Sequence, residues 1–478
     1  MYLGLDLGTS GLKGLLIDAA QQVVAEAVAP LSVSRPHDGW SEQNPADWIA
    51  AAEAVLDALA AKADLSALKG IGLSGQMHGA TLLDAADEVL RPCILWNDTR
   101  AHAEAAAMDA DPVWRKVTGN IVFPGFTAPK LAWVRAQEPA TFAQVAKVLL
   151  PKDYLRLWLT GEHVAEMSDA AGTSWLDTAG RDWSDALLAR TDLDRSQMPR
   201  LVEGTEVSGQ MRADLAARWG IGPSVPVAGG GGDNAASAIG MGVVSAGQAF
   251  VSLGTSGVLF VANDGYRPAP ETAVHTFCHA LPGKWHQMGV ILAATDALNW
   301  YGRLLGLDPA AVTADLGALK APGRTLFLPY LGGERTPLNS ASVRGAFMGL
   351  EHATDRDAAT RAVLEGVGFA IRDCMDALAA TGTTIESCVA VGGGSRSEYW
   401  LRLIATLLGT PISIPEEGDF GGAFGAARLG LMAATGDLTI ATPPPIRRSI
   451  DPDASLAEAF AEGHRRYRAA ARLAMELT

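Results

Sequence analysis

The hexapeptide Asp6-Leu7-Gly8-Thr9-Ser10-Gly11 recurs in the second half of the chain as Ser252-Leu253-Gly254-Thr255-Ser256-Gly257. Each copy follows a short apolar run, MYLGL at 1–5 and QAFVSL at 248–253, and each leads into another, LKGLLI at 12–17 and VLFVA at 258–262. Two apolar strands joined by a tight turn of Gly, Thr and Ser form a hairpin whose tip offers backbone N–H groups and hydroxyls. Two such tips, one per half, are expected to face each other across a cleft.

Around the repeat, strands such as GIGLSG at 70–75 and CVAVGGG at 388–394 alternate with long Ala/Leu-rich helical segments, the pattern of a mostly parallel sheet covered by helices. Both halves therefore read as α/β. At 478 residues the chain exceeds the size at which one core stops growing, so two domains are expected. The small-residue run IGMGVVSAGQ at 239–248 separates them, which puts an N-terminal domain over 1–244 and a C-terminal domain over 245–478. Beyond Pro443-Pro444-Pro445 a last amphipathic helix is predicted around Ser455 to Leu477.

Charge excludes some partners. A net charge of −15 argues against broad binding to nucleic acid or to an anionic membrane surface, although a nucleotide remains possible because phosphate binding is decided locally. Cys93, Cys278, Cys374 and Cys388 are far apart with no CxxC pair, which fits reduced thiols and a cytoplasmic setting. The start, MYLGLD, lacks the basic region of a signal peptide. From Asn234 to Asn263 no residue is charged, but five glycines, several serines and Gln248 interrupt the run, so it is not read as a membrane span.

Phosphate oxygens are acceptors with dispersed negative charge, and they are held by close backbone N–H groups, hydroxyls and a cation. Asp6 to Lys13 supplies all of these: Gly8, Thr9, Ser10 and Gly11 in the turn, Lys13 for charge, and Asp6 to hold Mg²⁺ through water. An ordinary polar hairpin is the alternative for one copy; the second copy weakens it. No Walker A pattern occurs, and Gly230 to Ala235, which fits a loose GxGxxG/A, lacks the acid about 20 residues on that a dinucleotide fold wants.

Asp233 follows four glycines, Gly229 to Gly232, at the end of the strand VPVAG and before the helical segment NAASAIGM. Such a position suits either a helix N-cap or a carboxylate poised as a general base where backbone and ligand come close. Gly392-Gly393-Gly394 and the stretch Gly418 to Gly425 also economise on side chains; a flat adenine against backbone and close helix packing explain them equally well. His275 and His279, with Cys278 between them, have no further ligand at a recognisable zinc spacing and no HExxH pattern, so a zinc site is not expected. His78, in the turn Gln76-Met77-His78-Gly79, is by itself an ordinary turn histidine.

Taken together these segments resemble the FGGY carbohydrate kinases of the actin, Hsp70 and hexokinase superfamily, nearly end to end. Asp6 to Lys13 looks like the family's first phosphate motif, Leu253 to Gly257 its second, Gly392 to Ser397 its adenosine motif, and Asp419 to Gly430 its second connecting helix. GFTAPKLAWV at 125–134 resembles a signature segment, with Ala136 just beyond it where the family usually has a polar residue. WSEQNP at 40–45, QMHG at 76–79, WNDTR at 96–100, PKDYLR at 151–156 and GERTP at 333–337 are similar to the branch that phosphorylates D-xylulose rather than glycerol.

The resemblance implies two ribonuclease H-like, actin-like ATPase domains with a catalytic cleft between them. It implies ATP with Mg²⁺ as cofactor and D-xylulose as substrate. Asp233 would act as base beside Asn234, with Met77 and His78 on the sugar. Thr9, Ser10, Lys13, Thr255, Gly393, Gly394 and Ser397 would contact ATP, and Asp6 the metal. A homodimer is the implied assembly. A kinase for another pentulose, a polyol or a sugar acid would differ only in pocket shape, and an actin-like ATPase would share both hairpins, so these readings stay open.

Overall fold

In the computed structural model, which describes residues 1–416 and 420–477, the chain builds two seven-stranded sheets on one plan, beside five two-stranded ribbons. Strands β1 (Tyr2–Leu7), β2 (Gly11–Ile17), β3 (Val23–Pro30), β4 (Gly70–Gly75), β5 (Val207–Gln210) and β6 (Pro226–Ala228) lie in the order β5-β6-β4-β1-β2-β3, and β7 (Gly231–Gly232) pairs with the far end of β4. The second sheet contains β8 (Gln248–Leu253), β9 (Gly257–Asn263), β10 (His275–Cys278), β11 (Trp285–Ile291), β12 (Ser387–Val391), β13 (Ile412–Pro415) and β14 (Ile446–Ile450), in the order β10-β11-β9-β8-β12-β13-β14.

In each sheet a hairpin (β1–β2, β8–β9) carries an antiparallel third strand on one side (β3, β11) and a parallel strand on the other (β4, β12). The sheets are thus mixed rather than mostly parallel. Strands joined by short turns must run antiparallel, and only those reached by a long crossover align parallel. The two tips also differ. The last paired residues are Leu7 with Leu12 but Leu253 with Gly257, so the second hairpin closes one residue sooner.

Helix α1 (Pro45–Ala60) starts where Asn44 Oδ1 accepts from the N–H of Ala46 and Pro45 pre-sets the first turn. It packs Trp48, Val55 and Leu59 against the first sheet, each worth about 1.5–3 kcal/mol when fully buried. Helices α2 (Pro151–Thr160) and α3 (Asp233–Met241) belong to the same half, whereas α4 (Thr295–Leu305), α5 (Arg356–Ala379) and α6 (Glu398–Leu408) cover the second sheet. Although α7 (Gly422–Thr435) lies late in the sequence, it packs on the first sheet, across β1 and β4, and against α3. The predicted last helix is α8 (Ala457–Glu476), against α6.

The seat of α7 is built from glycines. A Cβ on Gly4 would lie 1.9 Å from the carbonyl oxygen of Ala423, one on Gly72 would lie 1.8 Å from that of Ala426, and one on Gly425 would lie 1.7 Å from that of Ala236. Of the two explanations for the glycines of 418–425, helix packing therefore accounts for Gly425; Gly418 and Asp419 lie outside the described residues. A central apolar cluster unites Met77, Phe126 and Trp175 of the first half with Phe250, Phe260 and Phe277 of the second. All four cysteines are buried and free. Among the described residues no helix is long and apolar enough to cross a membrane.

Candidate active site

Strands β1, β4 and β7 run side by side in parallel, with Asp6 beside Ser74 and Ser74 beside Gly231. Asp6 and the start of α3 thereby emerge at one sheet edge. Asp6 Oδ1 accepts from Ser74 Oγ at 2.8 Å. Asp233 is the first residue of α3; the cap itself is Gly232, so Asp233 does not serve as the N-cap. Its Oδ1 accepts from the backbone N–H of Asn234 at 2.7 Å and from Asn234 Nδ2 at 2.9 Å. Burial first, and then the charge of Asp6, push the Asp233 carboxyl up to about 6, although the residue keeps some solvent exposure.

Met77, two residues beyond the end of β4, packs under the glycine turn: a Cβ on Gly232 would lie 2.9 Å from Met77 Sδ. His78 adopts a left-handed backbone, with φ of 70°. Three contacts hold it there. Its carbonyl accepts from Lys130 Nζ at 2.8 Å and from Thr127 Oγ1 at 3.2 Å, and its ring stacks on Phe126 with centroids 4.5 Å apart. Nδ1 lies 2.7 Å from the carbonyl oxygen of Gly172 and donates to it, which leaves Nε2 as an acceptor. Burial lowers the ring to about 3, so the imidazole stays neutral.

At the first tip, Thr9 Oγ1 donates to Gln76 Oε1 and accepts from Trp96 Nε1, both at 3.0 Å, while the Thr9 carbonyl accepts from Gln43 Nε2 at 2.8 Å. Ser10 is exposed, and Lys13 Nζ pairs with Glu26 at 2.7 Å on β3. At the second tip, the carbonyls of Gly254 and Thr255 accept from the N–H groups of Thr295 and Ala294 at 2.9 and 2.8 Å, anchoring the turn to the start of α4 and leaving Thr255 exposed.

A cavity of about 900 Å³ opens between the sheets, lined among others by Lys13, Asn234, Ser252, Gly392 and Arg396. A second, of about 580 Å³, is lined by Thr295, Asn299, Gly393, Gly394, Ser397 and Trp400, and Arg396 borders both. Volumes of this order suit a nucleotide-sized ligand. Gly392, at φ 87°, lets the loop pass so close to Leu253 that a Cβ would lie 2.8 Å from its carbonyl oxygen. Ser397 Oγ caps α6 by accepting from the N–H of Trp400.

Several residues that serve this edge were not singled out from sequence. Gln43 and Gln76 brace the first tip. Trp40 and Arg100 join WSEQNP to WNDTR, the guanidinium carbon 3.5 Å from the indole centroid, with Arg100 also paired to Asp98 at 2.7 Å. Lys130, fully buried and lowered to about 7 by that burial, sits in the signature segment and pins His78. Arg335 of GERTP reaches from the second half to lie 4.4 Å above the Phe123 ring and 3.5 Å from His275 Nε2. Their segments could be read; their side-chain partners, distant in sequence, could not. His279 instead faces the carbonyl of Val243, at 3.1 Å.

Residues 1–240 match the N-terminal domain model of the FGGY family of carbohydrate kinases, and residues 249–434 match its C-terminal domain model. A xylulose kinase of Escherichia coli strain K12 is 49% identical over 466 residues, 96% of each chain. Among solved structures, a xyloylose kinase from Brucella ovis superposes with a TM-score of 0.99 at 63% identity, covering 100% of both chains. A xylulose kinase from Rhodospirillum rubrum gives a TM-score of 0.93 at 31% identity over 100% of this chain and 99% of that one. With two sheets on one plan, each carrying a Gly-Thr-Ser hairpin tip, and both domain models matched in order, this chain belongs to the FGGY family of carbohydrate kinases.

Proposed function

We propose that the protein transfers the γ-phosphate of ATP to the terminal hydroxyl of D-xylulose, giving D-xylulose 5-phosphate and ADP. The observation that carries this is the shared edge of β1, β4 and β7, where Asp6, Met77 and Asp233 come together beside His78. The name of the relative that is 49% identical supplies the sugar. A lobe of residues 1–244 holds the ketose and a lobe of 245–478 holds the adenosine, at Gly393, Gly394 and Ser397. Cytoplasmic homodimers are the form we propose for it.

In this reading Asp233 takes the proton of the attacking hydroxyl, and its raised carboxyl keeps it basic enough for that task. Thr9, Ser10, Lys13 and Thr255 surround the phosphates, and positioning does most of the work. The carboxylate of Asp6 is a hard oxygen donor that fits Mg²⁺, which prefers one or two carboxylates plus phosphate oxygens. Bound through Asp6, the ion would neutralise charge on the phosphates. His78 accepts a hydrogen bond from a sugar hydroxyl at Nε2, and Met77 covers the carbon skeleton.

ADP release in the presence of D-xylulose, other ketoses, aldoses and polyols tests the reading; turnover of equal rate without sugar would replace it with an ATPase. His78→Ala is expected to lower kcat/KM for D-xylulose by roughly 10-fold or more, the effect of one lost buried hydrogen bond, while the KM for ATP at saturating sugar stays put. A rise confined to the ATP KM would move His78 to the nucleotide site.

The pH dependence follows from Asp233. Only the ionised carboxylate accepts a proton, so kcat/KM for D-xylulose is expected to fall as pH drops through about 6. An acid limb near 4, the ordinary carboxylate range, would contradict this placement. His78, neutral throughout, contributes no limb between pH 5 and 8.

A further inference from the structure

Behind the turn Gly229–Gly232 lies a cluster of ionisable side chains with no exposure: Lys152, Asp153 and Arg156 on α2, with Glu166 and Asp169 beyond it. Lys152 Nζ lies 2.6 Å from Asp153, 3.3 Å from Asp169 and 3.7 Å from Glu166. Stability does not account for such a group. The cost of taking ions out of water cancels most of their attraction, and apolar side chains of the same volume often do as well or better.

The contacts of the cluster point elsewhere. Arg156 donates from Nη1 to the carbonyl of Ala228 at 2.6 Å and from Nη2 to that of Gly229 at 2.5 Å, where the glycine run begins. Where the run ends, the N–H of Gly232 donates to Ser168 Oγ at 3.0 Å. That hydroxyl in turn donates to Glu166 Oε1 at 2.9 Å, and Glu166 also accepts from the N–H groups of Ser168 and Asp169 at 2.7 and 2.8 Å. Four successive glycines have more backbone freedom than any other tetrapeptide. The residue they deliver is Asp233, whose reach to a hydroxyl tolerates little error.

We infer that Arg156 and Ser168 are positioning residues that clamp the glycine run at its two ends and so fix the Asp233 carboxylate against the acceptor hydroxyl. This rests on the reading of Asp233 as the base. Both clamps are held in one orientation from beneath: Glu166 accepts from Ser168 Oγ, while the Val164 carbonyl and Ser208 Oγ take the remaining N–H groups of Arg156 and Asp153 lies 3.6 Å from its Nη2. Glycine then provides the close approach of backbone to substrate, while the buried ions provide the rigidity that glycine lacks.

A double-mutant cycle on kcat tests it. Ser168→Ala, in the otherwise intact enzyme, is expected to lower kcat about 10-fold with the KM for ATP unchanged. Combined with Asp233→Ala it should cost nothing further, because there is no base left to misplace. Arg156→Lys keeps the charge but loses the fork onto two carbonyls, and should behave alike; thermal midpoints establish that each variant is folded. An equal fold loss in both backgrounds, or no loss from Ser168→Ala and Arg156→Lys while Asp233→Ala is inactive, would overturn the inference alone. Near-normal kcat in Asp233→Ala would remove the base reading and the inference with it.

Discussion

Asp233→Ala is expected to lower kcat by about 10²- to 10⁴-fold, the usual contribution of a positioned general base, with the KM for ATP hardly moved. Asp233→Asn should fail similarly, because the amide keeps the size and still meets the N–H of Asn234 but accepts no proton. Neither change should unfold the protein. In the folded state the carboxyl titrates at about 6, above its ordinary value near 3.9, so between those pH values the folded chain holds a proton that the unfolded chain releases. Stability is therefore lost as pH rises to 6, and the ionised group is a net cost at neutrality. A neutral replacement should leave the thermal midpoint equal or higher. Steady-state kinetics and a melt, side by side, check both halves; near-wild-type kcat or a sharply lower midpoint would each contradict the account.

The second large effect is structural. Gly425→Ala would place a methyl carbon 1.7 Å from the carbonyl oxygen of Ala236, inside any possible contact distance. The methyl is fixed rigidly to the main chain and the carbonyl is itself main chain, so no side-chain rotation relieves the overlap and α7 must move away from α3. Overpacking of this kind typically costs 1–3 kcal/mol, and rigid backbone on both sides argues for about 3. For lobes of this size that corresponds to a midpoint lower by about 6–12 °C. Gly265→Ala, with nothing within 4 Å, is the control and should stay within about 0.5 kcal/mol of the parent. Equal midpoints for the two variants would mean that the seam is looser than its geometry.

Much of this architecture was legible because it is local. The repeat at Asp6 and Ser252 announced two hairpins, and both appear where the apolar runs stand. Asp233 could be singled out because four glycines before an acid exceed what a cap requires, and the cap indeed falls on Gly232. The mixed character of the sheets was missed, since pairing direction depends on connections rather than on strand composition. That His78 is neutral and accepts only through Nε2 was also invisible: it follows from Gly172, far along the chain, whose carbonyl fixes the tautomer. Ser168 and Lys130 escaped notice for a related reason, as each acts on a backbone atom that no pattern of residue types records.

The placement of α7 orders events during synthesis. Strands β1 and β4 leave the ribosome early, but the helix that covers them is made only after the whole of the second sheet except its edge strand β14. Until then the glycine trough around Gly4 and Gly72 is an open apolar groove on a nascent chain, with nothing bulky to shield it. The first half cannot finish folding first. Its completion waits for a segment whose contacts span most of the chain, and such long-range closure is slow and exposes surface to other chains while it lasts. Holding the two lobes in one continuous topology thus makes the nascent chain dependent on protection that two separately folding domains would not need.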